Sequence, residues 1–172
     1  GEAFGLIAAA PAMTAQQRID AVAVLSAACG GGGMVAGQVL DMDHLAQGEA
    51  DLRLLHRLKT GAMLQAAAEL GCVAAGADDG LRQRARDYGC HIGLAFQVRD
   101  DVLDVVADQG ELGKPIGSDR AEGKRTFVDL LGLEACQALV AEETAKAKAA
   151  LADLPDSGFL LNLADHLAER RK

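Results

Sequence analysis

At 172 residues, with 17 Lys and Arg against 25 Asp and Glu, the chain carries a formal charge of −8, and 50% of it is apolar. That balance argues against a general nucleic-acid partner or an anionic membrane surface, both of which need a basic face. The cysteines, Cys29, Cys72, Cys90 and Cys136, form no C-x-x-C pair and sit far from any His at ligand spacing, so reduced, mostly buried thiols in a cytoplasmic protein are expected.

Ala and Leu dominate, Pro is scarce and β-branched alternation is missing, so the chain reads as all-α. It begins at Gly1, without Met, in an Ala-rich helical segment, which leads us to expect a fragment whose N-terminal helices are missing. Thr14 can N-cap a segment from Ala15 to about Asp41, interrupted by Gly30–Gly33, and a second segment runs from Glu49 to Leu70, before Gly71. Leu81 to Ala107 is a third. A Gly-rich loop is expected from Asp108 to Gly123, and Phe127–Leu131, Leu133–Leu151 and Phe159–Arg171 close the pattern as helices. No linker divides residues 1–172, which read as one domain or part of one. The longest apolar stretches are too short, or too interrupted by Gly, Gln and charge, to suggest a membrane span.

The third helix carries the chemistry. At 3.6 residues per turn Gln97, Asp100, Asp101, Asp104 and Asp108 fall on one stripe, and the rest of the circumference is apolar, with Gly93 leaving room on the stripe. Like charges at i,i+4 cost a bare helix roughly 0.2–0.5 kcal/mol per pair. Arg99 points to the opposite side, so the compensating charge must come from outside the helix. Magnesium suits the pattern, because it keeps several waters and binds through one or two carboxylates together with substrate phosphates. Leu94, Phe96, Val98, Val102, Leu103 and Val106 surround the stripe so fully that an apolar face should be left uncovered on this helix.

Lys59-Thr60-Gly61 supplies a cation, a hydroxyl and an approachable backbone, all suited to a phosphate. Lys114 and Lys124, each beside a glycine beyond the Asp helix, can act with it as a diphosphate clamp. The run Gly30–Gly33 follows no strand and lacks a following Lys-Ser/Thr, so close helix packing explains it better than a phosphate loop. Asp41-Met42-Asp43 has Ala46 where a calcium loop needs Gly. His44, His56, His91 and His166 are scattered, and surface or packing roles are expected for them.

Taken together, Gly93 to Asp104 resembles the second aspartate-rich motif of the trans-polyprenyl diphosphate synthases. Gly37-Gln38-Val39-Leu40-Asp41, Lys59-Thr60-Gly61, Leu112 to Asp119, Gly123 to Phe127 and Leu131 to Glu134 extend the likeness along the chain. The family usually has Thr-Tyr-Pro where this chain has Thr126-Phe127-Val128, a change at a packing position. Its first aspartate-rich motif and its isopentenyl diphosphate site lie upstream, and no second D-D-x-x-D precedes Asp100 here.

The resemblance implies an isoprenoid-synthase-type helical bundle around a central cavity. It implies head-to-tail condensation of isopentenyl diphosphate with an allylic diphosphate to a short-chain product, farnesyl diphosphate being expected, in a homodimer. Magnesium, with manganese as a substitute, would be held by Asp100, Asp101 and Asp104. Lys59, Lys114 and Lys124 would balance diphosphate charge, while Thr60 and Gln97 face a developing allylic cation. With half of that site present, the chain alone should be inactive. A class I terpene cyclase and a non-catalytic partner subunit of a heteromeric synthase stand as alternatives.

Overall fold

The computed structural model describes residues 1–108 and 125–170, the side chains of 107 and 108 excepted. Regular structure in these residues is helical throughout, as composition required. In chain order the elements are α1 (Glu2–Ala9), α2 (Ala15–Cys29), α3 (Met34–Met42), α4 (Glu49–His56), a π-helical turn (Arg57–Gly61), α5 (Ala62–Ala74), α6 (Asp79–Asp108), α7 (Phe127–Leu131), α8 (Leu133–Ala150) and α9 (Gly158–Glu169).

Thr14 caps α2 as expected: its hydroxyl accepts the Gln17 N–H at 3.2 Å, and the Gln17 side-chain oxygen accepts the Thr14 N–H at 2.8 Å. The Gln17 amide also donates to the carbonyls of Val73 and Ala74 at 3.1 and 3.2 Å, fastening the start of α2 to the end of α5. By length and composition alone, Ala15–Met42 is apolar enough to cross a bilayer. The glycine run divides it, however, into helices of 15 and 9 residues, each shorter than the roughly 20 residues a spanning helix needs.

The axis of the fold is α6, whose 30 residues extend for about 45 Å. It is sandwiched between α5 and α8. Val98 and Val102 are fully buried, among Leu52 and Leu55 of α4, Phe127 of α7, and Cys136, Leu139 and Val140 of α8. A second cluster joins Tyr88 and Ile92 of α6 to Ala147 and Leu151 at the end of α8 and Ala164 of α9. Tyr88 donates its hydroxyl to the Leu160 carbonyl at 2.8 Å.

Two differences from the sequence reading concern this axis. Gly93 is buried, and a Cβ there would lie 2.8 Å from the Cα of Gly61, so its lack of a side chain lets α6 cross the π turn at backbone contact rather than leaving room for a ligand. The apolar face expected around the acidic stripe is largely covered; on α6 only Val106 ranks among the exposed large apolar residues. Such residues gather instead on α2 and α3, where Ile19, Val22, Met34, Val35, Val39 and Met42 face outward.

Candidate functional site

A cavity of about 290 Å³ opens between the α4–π-turn segment and the acidic stripe of α6. Helical spacing sets His56 and Lys59 on one wall, three residues apart. Gln97, Asp100, Asp101 and Asp104 form the other, with Arg125 and Thr126 at the start of α7 and Asp41 of α3 completing the rim. Leu52 and Leu55 supply apolar lining.

Lys59 lies in the π turn, a distortion often found at functional sites. Its ammonium donates to Asp41 Oδ2 at 2.6 Å. The contact depends on Gly37, one turn before Asp41, where a Cβ would sit 2.3 Å from the Lys59 backbone nitrogen. Thr60 occupies the same turn but does not line the cavity. Lys114 and Lys124, the other expected diphosphate lysines, lie outside the described residues.

The acidic residues have different local duties. Asp101 is buried, and its Oδ2 accepts the Phe127 N–H at 2.7 Å, satisfying the first donor of α7. Asp100 receives the Gln97 amide at 3.2 Å on Oδ2, while Oδ1 is ion-paired to Arg170 at the end of α9. Arg170 stacks over Phe96, 3.8 Å from the ring centroid, and its carbonyl accepts Arg99 Nε and Nη2 at 3.1 and 2.8 Å. The positive charge that the stripe requires thus arrives from 70 residues away. Burial raises the Asp100 pKa above the usual carboxylate range, and Arg170 pulls it partly back.

His56, read from the sequence as a surface or packing residue, is built into the cavity wall. Its ring stacks on Phe127 with centroids 5.5 Å apart. Burial pushes its pKa down to about 4; Lys59 adds to that effect, while Gln97 and Asp41 oppose it. His91 also has a partner that spacing did not reveal, donating from Nδ1 to the buried Glu143 at 2.7 Å.

The donor set fits magnesium. It is all oxygen, and among the described residues no three His, Cys, Asp or Glu side chains converge as a ready-made ion cage. Magnesium is usually held by one or two carboxylates, with water and substrate phosphates completing its shell. The ligands would be Asp100, Asp101 and Asp104, which line the cavity together.

Solved isoprenyl diphosphate synthases share this helical fold. The geranyltransferase of Helicobacter pylori, crystallised with magnesium and isoprenyl diphosphate, matches with a TM-score of 0.77 and 32% identity over 96% of this chain and 55% of its own. The geranylgeranyl pyrophosphate synthetase of Pyrococcus horikoshii shares the fold at a TM-score of 0.85, with 24% identity over 98% of this chain and 63% of its own. Residues 2–155 match the family model described as Polyprenyl synthetase, and the chain belongs to that family. The farnesyl diphosphate synthase of Escherichia coli K12 is 40% identical over 99% of this chain, and that of Haemophilus influenzae 35% identical over 98%. The chain spans 60% and 59% of the lengths of these two relatives.

Proposed function

We propose that this chain supplies the acidic, diphosphate-binding wall of a head-to-tail prenyltransferase, which condenses isopentenyl diphosphate with an allylic diphosphate to a short-chain product such as farnesyl diphosphate. The observation that carries this reading is the placement of Lys59 opposite Asp100 and Asp104 across one cavity. Those aspartates would hold magnesium, which would supply charge neutralisation for a departing diphosphate. Lys59, oriented by Asp41, adds a fixed positive charge where negative charge develops, and Lys114 and Lys124 act with it. Gln97 turns its amide dipole towards the allylic cation; Thr60, expected in the same role, lies in the π turn outside the cavity lining. Leu52 and Leu55 keep water from trapping that cation.

By itself the chain holds diphosphate from one side and transfers no prenyl group. The apolar residues exposed on α2 and α3 support a homodimer. The unpaired cysteines are in keeping with a cytoplasmic location.

Calorimetric titration of magnesium with and without inorganic pyrophosphate tests the site. Affinity should rise when pyrophosphate is present, and Asp100→Ala should abolish the rise. Tight magnesium binding without pyrophosphate, or none with it, refutes the reading.

A further inference from the structure

Two cations line the site cavity among the described residues, Lys59 and Arg125. Lys59 is committed to Asp41 at 2.6 Å. Arg125 makes no ion pair or hydrogen bond with any described residue, and it is exposed, so its guanidinium is open to a ligand. Its backbone, by contrast, is fixed. Thr126, the next residue, caps α7: its hydroxyl accepts the Asp129 N–H at 3.2 Å, and the Asp129 carboxylate accepts the Thr126 N–H at 3.1 Å. One residue further on, Phe127 is fully buried and gives its N–H to Asp101 at 2.7 Å. Two residues of chain span about 7 Å at most, so the base of the Arg125 side chain is held beside the acidic stripe.

We propose that Arg125 is a diphosphate-binding residue of this cavity, taking phosphate oxygens in its planar guanidinium fork. The inference rests on reading the cavity as a metal–diphosphate site. It adds a residue that the sequence passed over, since the cationic role in Gly123–Thr126 fell there to Lys124. An anion entering the cavity meets Asp41, Asp100, Asp101 and Asp104, and Lys59 already spends much of its charge on the first of these. The Arg125 charge is not spent in this way. A guanidinium pairs two N–H groups with two oxygens of one phosphate, and such charge-assisted bonds are roughly twice as strong as neutral ones. Lys59 therefore offers a point charge from one wall, and Arg125 a directional grip from the rim.

The test is calorimetric titration of inorganic pyrophosphate, at fixed magnesium and neutral pH, into the 172-residue chain and its variants. Arg125→Gln should weaken pyrophosphate binding about tenfold or more. Arg125→Lys, which keeps the charge but not the fork, should fall between that variant and the parent. Arg53→Gln is the control for net charge: Arg53 lies near Phe127, pairs with Glu49 and does not line the cavity, so its loss should change affinity less than twofold. Melting temperatures should match the parent in all three, because Arg125 holds nothing in place. Parent-like affinity in Arg125→Gln, an equal loss in Arg53→Gln, or a lowered melting temperature in Arg125→Gln overturns the proposal and leaves the proposed function standing. If the parent chain binds no pyrophosphate in the presence of magnesium, the proposed function fails and this inference fails with it.

Discussion

Acid should weaken this fold through His56. Its pKa drops from 6.5 in the open chain to about 4 in the folded state, so between those values the unfolded chain binds more protons than the folded one. Stability then declines as pH is lowered through that window, and the effect is absent above it. The shift is 6.5 − 4 = 2.5 units, which at 1.36 kcal/mol per unit amounts to about 3 kcal/mol by pH 4. That is a large part of a typical domain's 5–15 kcal/mol. Burial raises the carboxyl pKa of Glu143, but hydrogen bonds from Lys146 and His91 outweigh it and lower the value overall, so Glu143 also loses its contribution in acid. It does so equally in any His56 variant and cancels in a comparison. Urea denaturation of the chain and of His56→Phe, followed from neutral pH to about pH 4, should show the difference between them changing by about 3 kcal/mol in favour of the variant. Parallel curves would refute the assignment of a buried, neutral imidazole.

Three further outcomes follow from the contacts around the cavity. Gly37→Ala places a Cβ 2.3 Å from the Lys59 nitrogen and should cost about 3 kcal/mol in chemical denaturation; wild-type stability would contradict the close crossing of α3 and the π turn. Asp101→Ala leaves the Phe127 N–H without its acceptor and should cost about 2 kcal/mol, and Asp101→Asn, which keeps a carbonyl oxygen, should cost less in the same melts. Arg170→Ala removes the guanidinium from Asp100 and should tighten manganese binding without diphosphate about fivefold, the equivalent of about 1 kcal/mol, read by electron paramagnetic resonance. A weaker affinity would mean that Arg170 does not compete with the metal.

Helix placement was largely legible because periodicity and caps are local signals: Thr14, the break at the glycine run and the acidic stripe lie where their neighbours predict, whereas Gly71, read as a helix end, lies inside α5, which runs on to Ala74. The stripe alone did not reveal how its carboxylates divide their work. Asp100 and Asp101 look equivalent in sequence, yet one meets Arg170, 70 residues on, and the other meets a backbone N–H, 26 residues on. Neither partner shares a helix with them, so no spacing rule could expose the pairing. Spacing did set His56 one turn from Lys59, but only the cavity shows that the pair share a wall. The need for an outside cation was readable from repulsion along the helix; that a guanidinium of the same chain meets it was not.

The π turn at Arg57–Gly61 also fixes the angular phase between two helices that would otherwise continue one another. Each residue advances an α-helix by about 100°. A π turn fits about one extra residue into the same advance, so converting it to a regular α-helix with every residue kept would rotate Ala66, Glu69 and Val73 of α5 by about that angle relative to Leu52 and Leu55 of α4. Either α5 would leave α2 and α6, with Glu69 parting from Arg82 and Arg86, or α4 would turn Lys59 away from Asp41. The turn acts as a phase shifter: it carries one residue more than a regular helix would and still leaves α4 and α5 facing their own partners.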